Sequence, residues 1–404
     1  MTILLAEAVL AVVALPVVLC AGYLLLLTLA SARPRALAAA PPRLAFDVVV
    51  PAHDEEAGIG STVESLLAVE WPAELRRVLV VADNCRDATA ERARRAGAVV
   101  LVRQDPSRRG KGYALKLAFE RSLADGVAGA VVVVDADTVV SANLLAAFAV
   151  RLERGARAAQ ALYGVRNPDA SWRTRLMAVA FATTGTLRAL GRERLGCSVG
   201  LRGNGMCFAS SLLREVPHEA FSIVEDAEHA IRLAQAGVRV HLAGEAEVRG
   251  EMVSGAEGSA SQRRRWEDGR RQLRRQHALP LIREGLRRGD RVLLEMGIDL
   301  LVPPLAQLAA AAALGTAAAA GAAAILGGPA VATWIWAAAL AAVVVHVARG
   351  WVLSGTGLRG LSALLHAPVY LVWKIGLKLG GRRPASEEWI RTQREAGEKT
   401  DLQG

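Results

Sequence analysis

Cysteine is sparse in this chain: the four present, Cys20, Cys85, Cys197 and Cys207, show no paired metal-ligand spacing. That pattern excludes a zinc finger or ribbon, and in a reducing compartment all four stay thiols. Aromatic residues are only 4% of the chain, too few beside its basic stretch to stack the bases of a nucleic acid. Charge is almost absent from residues 3 to 30, which contain no Lys or Arg and one acid, Glu7. This run is long enough to cross a bilayer as a helix. It also lacks the basic start of a signal peptide and is too long for one, so residues 1–31 read as a retained transmembrane anchor.

The chain has 404 residues, 52% of them apolar, enough for one large domain or two ordinary ones. Two further apolar blocks predict transmembrane helices at 296–326 and 330–349, the first Ala-rich over 309–324 as suits close helix packing in lipid. A segment at 358–380 carries His366, Pro368, Lys374 and Lys378, so it either spans or lies in the interface. Arg33, Arg35 and Arg43 follow the anchor and place the central region in the cytosol. Arg382, Arg383, Arg391 and Arg394 do the same for a tail at 381–404. The formal charge is +10, and eleven arginines lie between Arg263 and Arg291, beside an apolar block. The region 261–292 therefore reads as a basic interfacial helix facing anionic membrane lipids rather than nucleic acid. The expected protein is integral to the cytoplasmic membrane with a cytosolic soluble domain.

From Asp47 onward the pattern alternates strand and helix. Strands are expected at Val48–Val50, Val78–Ala82, Val99–Val102 and Val131–Val134, with helices at Gly58–Val69, Ala88–Ala96 and Tyr113–Leu123 between them. That order predicts a mostly parallel, doubly wound sheet. Polar residues cluster at the strand ends, in Pro51-Ala-His-Asp-Glu-Glu56, Asp83-Asn-Cys-Arg-Asp87 and Asp135-Ala-Asp137, and such loops gather along one sheet edge. Asp135 and Asp137, at a turning strand end, can approach one hard cation and its phosphate ligands, although an isolated D-x-D is more often a solvated turn.

The remaining motifs divide in the same way. Gly58-Ile-Gly60-Ser-Thr-Val63 imitates a dinucleotide fingerprint but lacks the third glycine and follows three acids that would repel a pyrophosphate. Arg108-Arg-Gly-Lys-Gly112 is no Walker motif, yet its cations at a helix start suit a phosphate as well as a solvated turn. Val224-Glu225-Asp226 opens a helix, where acids usually serve the helix dipole; the functional alternative makes one of them a general base. Gly203-Asn204-Gly205 is a turn that can admit an acceptor close to backbone. On a helix Gln262, Arg265 and Trp266 share a face and can converge on a sugar phosphate, or the arginines can snorkel at an interface.

Taken together and in this order, P-A-H-D-E-E, V-A-D-N-C-R-D-A-T, R-R-G-K-G-Y-A-L, D-A-D, G-N-G, V-E-D and Q-R-R-R-W resemble a membrane-bound family 2 glycosyltransferase. The resemblance implies an α/β, GT-A fold over residues 44–260 and a nucleotide-sugar donor, a UDP-sugar. It implies that Pro51, Ala52, His53, Glu55, Asp83, Lys111, Asp135 and Arg265 bind the donor, and that Asp137 ligates Mg2+ or Mn2+. It implies Asp226, with Glu225 beside it and Arg265 at the pyrophosphate, as the catalytic set, and Gly203, Asn204, Gly205, Gln262 and Trp266 as the acceptor site. The acceptor is then a lipid-linked or saccharide hydroxyl and the product a β-linkage. Val224 stands where the family has threonine, which removes one hydroxyl near the base. Trp389-Ile-Arg-Thr-Gln-Arg394 resembles a tail motif of some members. A processive polysaccharide synthase of the same family and a catalytically idle membrane scaffold remain the alternatives.

Overall fold

The structure, a computed structural model, describes residues 2–33, 41–253, 256–327 and 330–366, without the side chains of 2–4 and 256–266. Two compact units divide the chain. Among the described residues, one holds 2–33, Val179–Val199 and 273–366; the other holds 41–178 and 200–272.

After α1 (Thr2–Leu29) the second unit begins with β1 (Phe46–Ala52), α2 (Ile59–Leu67), β2 (Arg76–Asp83), α3 (Thr89–Arg95), β3 (Val99–Arg103), α4 (Lys111–Asp125) and β4 (Ala130–Val133). All seven residues of β1 and all four of β4 are buried, which is why both carry valine runs covered on both faces; the acid in β1, Asp47, is paired with Arg77 at 2.7 Å. The strand order β3-β2-β1-β4 is parallel and reverses direction of growth between β1 and β4. Right-handed crossovers then put α2 and α3 on one face and α4 on the other. Ile59, Val63, Leu66 and Ala93 accordingly pack with Val48, Val50, Val80 and Val132 in the main core. On the opposite face Phe119 of α4 meets Phe208 edge to face at 6.0 Å.

Beyond β4 the expectation of a doubly wound sheet gives way to a mixed one. Asp135-Ala-Asp137 leads not into a helix but into a short strand, β5 (Thr138–Val140), whose residues are β-branched throughout. Then come α5 (Leu144–Glu153), β6 (Ala158–Val165), α6 (Trp172–Phe181), α7 (Arg188–Arg194), β7 (Met206–Ala209), α8 (Ser210–Glu215), α9 (Glu225–Gln235) and β8 (Val240–Gly250). The eight-stranded sheet runs β3-β2-β1-β4-β7-β6-β8-β5. β7 pairs antiparallel with both β4 and β6, and β5 pairs antiparallel with β8. Inserting β7 beside β4 brings the turn that precedes it, Gly203-Asn204-Gly205, against the end of β4: the Gly205 amide donates to the Val133 carbonyl at 2.9 Å.

α10 (Ala256–Arg288) covers most of the expected basic region and is followed by α11 (Arg291–Leu301), α12 (Leu305–Leu326), α13 (Val331–Ser354) and α14 (Gly357–Leu364). The expected helix at 296–326 is therefore two helices, because Pro303 and Pro304 lack amide donors and disfavour a helical residue before them. Leu5–Leu29, Leu305–Leu326 and Val331–Ser354 are each long and apolar enough to cross a membrane. Within their unit they pack through Ala21, Leu24, Leu308, Ala339 and Val343. Charges are also buried there: Arg192 meets Glu295 at 2.7 Å and Asp299 at 2.5 Å, and Arg188 meets Asp299 at 3.2 Å. The segment 367–404, with the tail motif at Trp389 and most of 358–380, lies outside the described residues.

Candidate active site

Three loops from one sheet edge, plus the first turn of α9, supply the site. The loop after β1 and the loop after β2 are stitched together by hydrogen bonds: His53 Nδ1 to the Asp83 carbonyl at 2.7 Å, the Glu55 amide to Thr89 Oγ1 at 2.8 Å, and the Arg86 amide to Asp54 Oδ1 at 2.7 Å. Pro51 and Ala52 end β1 and are buried beneath them. Asp83 is fully buried. Its Oδ1 accepts from Arg103 Nη1 at 2.6 Å and Asn84 Nδ2 at 3.0 Å, whereas its Oδ2 has no hydrogen-bond partner. Burial pushes the Asp83 pKa up against these two donors. Arg103 also lies over the Tyr113 ring, 5.4 Å from its centroid, and Tyr113 stacks on Phe221 at 4.4 Å.

Lys111, the first residue of α4, reaches across to the remaining acids. Its Nζ donates to Asp135 Oδ1 at 2.5 Å and to the Gly203 carbonyl at 2.6 Å, and stands 3.7 Å from Glu225 Oε1. Burial acts to lower the Lys111 pKa, but the charges of Asp135, Glu225 and Asp226 outweigh it and hold the ammonium protonated. Gly203 takes a left-handed φ of +76°, and a Cβ there would stand 3.4 Å from Lys111 Nζ and 3.5 Å from Asp226 Oδ2. Gly205, at φ +68°, would drive a Cβ to 2.8 Å from a Val248 methyl. Both positions therefore need glycine for conformation, and Gly205 needs it for space as well.

Glu225, buried, and Asp226, half-buried, open α9. Burial raises both pKa values. The Lys111 charge opposes the rise of both acids; the Asp226 charge adds to the rise of Glu225, and the Ala227 amide, donating to Asp226 Oδ1 at 2.7 Å, and the Arg202 charge further restrain Asp226. Two adjacent carboxyls in this setting titrate as a pair.

The hard-cation question turns on donor chemistry. Asp135 and Asp137 offer carboxylate oxygens in a region where acids outnumber cations, and Tyr163 registers that surplus: burial first, then Asp135 and Asp137, drive its hydroxyl pKa well up. Such a set fits Mg2+ or Mn2+. A second group, Asp54, Cys85 and Asp87, has ligand atoms within 4.8 Å of one another. Its fit to a hard ion is poorer, since burial raises the Cys85 pKa and keeps a thiol, and Asp87 Oδ2 already accepts from the Glu56 amide at 3.1 Å.

Asn204, expected in the acceptor site, is fully buried with its amide bonded inside the protein. Residues that sequence patterns did not single out complete the region. Gln160 donates to the Asn204 carbonyl at 2.8 Å and accepts from the Arg202 amide at 2.9 Å. A glutamine inside an apolar strand was the one visible clue, since a buried amide needs partners. The side chains of Gln262, Arg265 and Trp266 lie outside the described residues, although their backbone is helical as expected.

The sequence model of the family described as Glycosyltransferase like family 2 matches residues 41–269. A low-salt glycan biosynthesis hexosyltransferase, Agl6, of Haloferax volcanii is 38% identical over 83 residues, 20% of this chain and 19% of that protein; the match thus spans about a fifth of the relative's length. Among solved structures, the mannosyltransferase PcManGT of Pyrobaculum calidifontis, in complex with GDP-Man and Mn2+, is similar with a TM-score of 0.50 at 19% identity. The likeness covers 85% of this chain and 97% of that one. At that identity the likeness establishes the shared fold.

Proposed function

Because this chain belongs to glycosyltransferase-like family 2, we propose that it transfers a sugar, with inversion, from a nucleotide-diphosphate donor to a hydroxyl of a lipid-linked or saccharide acceptor at the cytoplasmic face of a membrane. The observation that carries the proposal is the convergence on Lys111 of Asp135, Gly203 and Glu225, which come from three separate segments.

In this reading the loops after β1 and β2, with Pro51, Ala52, His53, Glu55 and Asp83, take the nucleoside. Asp83, buried below these loops, is assigned to the base, whose ring N–H, such as that of uracil, a carboxylate oxygen can accept. Lys111 and Asp135 face the diphosphate side, and Arg265 is assigned there by sequence position. Asp137 would hold Mg2+ or Mn2+, which when bound offsets leaving-group charge. Asp226 takes the acceptor proton as the hydroxyl oxygen attacks the anomeric carbon from the face opposite the leaving diphosphate, which gives a β product from an α-linked donor. Gly203 leaves room for that hydroxyl beside Asp226, and Gln262 and Trp266 are assigned to the acceptor sugar. The three apolar helices anchor the chain in the bilayer, with anionic lipids meeting the arginines of α10.

The test is a transfer assay on isolated membranes with a panel of labelled UDP-sugars and GDP-mannose. Asp226→Asn is expected to retain donor binding and lose transfer by ~10²–10⁴-fold, and chelation of divalent metal to stop the parent. Parent-like turnover by Asp226→Asn would sink the assignment of the base, and full activity after thorough chelation would remove the metal.

A further inference from the structure

We infer that Thr138 and Asn204 form a hydrogen-bonded relay that fixes the Asp137 carboxylate for a divalent cation and ties it to the turn at Gly203. The inference rests on the reading of Asp137 as the metal ligand.

The relay has only one workable orientation. Asn204 Oδ1 accepts from the Asp135 backbone amide at 3.2 Å. Flipping the Asn204 amide would set two donors against each other, so Nδ2 must face Thr138, to whose Oγ1 it donates at 2.8 Å. With that lone pair occupied, the single hydroxyl proton of Thr138 is directed to Asp137 Oδ1, 3.2 Å away. The direction of the chain thus uses Asp137 Oδ1 as an acceptor, which fixes the orientation of the carboxylate. The Asn204 side chain also holds back the burial-driven rise of the Tyr163 hydroxyl pKa. Tyr163 in turn packs against Gly250, where an added Cβ would meet its hydroxyl at 2.9 Å.

Burial makes the relay stiff. Thr138 and Asn204 are both at 0% exposure, so no solvent competes for these bonds. The backbone carbonyl of Asn204 is held by Gln160, and the neighbouring Gly203 carbonyl by Lys111. A movement of the turn at Gly203 must therefore pull on Asp137, and a fixed Asp137 must hold the turn. Partners of this kind orient a ligating carboxylate and raise its affinity without touching the ion.

The experiment uses the full chain in detergent and Mn2+ alone, with free Mn2+ read by electron paramagnetic resonance. Thr138→Val keeps the side-chain volume and removes the hydroxyl; it is expected to weaken Mn2+ binding by about tenfold or more. Thr138→Ser is expected to restore it, which a purely packing role would not do. Asp137→Asn, the control, is expected to abolish saturable binding. If Asp137→Asn binds Mn2+ like the parent, the metal reading itself falls. If Asp137→Asn loses binding but Thr138→Val keeps parent affinity, the relay is overturned and the metal reading stands. Should Thr138→Val lose its cooperative thermal transition, Thr138→Ala set against Thr138→Ser reads the hydroxyl in a smaller side chain: weaker Mn2+ binding by Thr138→Ala supports the relay and equal affinity overturns it.

Discussion

At the scale of single residues, the two acids that open α9 look interchangeable in the sequence and are separated only by their surroundings. Burial lifts both and the Lys111 charge restrains both; Asp226 has in addition the Ala227 amide, which donates to its Oδ1. If Glu225 carries the proton, glutamine is a close substitute for it. Glu225→Gln is therefore expected to keep transfer within about tenfold of the parent, against the ~10²–10⁴-fold loss for Asp226→Asn. In both the parent and Glu225→Gln, kcat/KM should fall with decreasing pH through a pKa above the ordinary aspartate range, because burial of Asp226 disfavours its charged form. An equal collapse in both variants would contradict the division of roles. The acids of the site were legible in the sequence because they sit where apolar strands stop. The pairing of Lys111 with Asp135 and Gly203 was not, since nothing local links residues that far apart along the chain.

Elements carry a second kind of constraint. α4 begins so close to the segment before α9 that a Cβ on Gly112 would stand 2.2 Å from the Ala220 carbonyl oxygen and 3.1 Å from Phe221 Cα. Gly112→Ala must push that segment away, and Asp226 with it. A displacement of about 1 Å at a reacting group costs ~10²-fold, so kcat should drop by about that much with none of the assigned site residues changed. A Gly112→Ala enzyme with parent kcat would show that the segment before α9 does not set the base. The strands and helices from β1 to β4 were readable because each is a β-branched run or an amphipathic turn bounded by polar loops. The later strands were not. β5 and β7 span three and four residues, and β8 carries Glu245, Glu247 and Arg249 among its apolar positions. In those strands tertiary pairing outweighs local propensity.

For the molecule as a whole, acid is the expected weakness. His218 and His229 lie against each other at 4.9 Å, buried, with none of their four ring nitrogens hydrogen-bonded. Burial lowers the His218 pKa to about 3 and that of His229 to about 4. An unfolded chain takes up these protons near pH 6.5, so between that value and the folded values the unfolded state binds more protons and stability falls as pH falls. The slope is roughly 1.4 kcal/mol per pH unit for each histidine. Thermal unfolding followed from pH 7.5 to pH 5 should show a falling Tm, and His229→Phe should flatten that fall; an unchanged slope would place the acid sensitivity elsewhere. Unfolding also exposes a chemical hazard. Asn204 precedes Gly205, a pair in which the glycine nitrogen readily attacks the asparagine side-chain carbonyl, expels ammonia and closes a succinimide that opens to aspartate or isoaspartate. In the folded chain that nitrogen donates to the Val133 carbonyl and the asparagine amide is bonded on both sides. The turn that shapes the site thus also sets how the protein ages, with each excursion to the unfolded state a chance to lose it irreversibly.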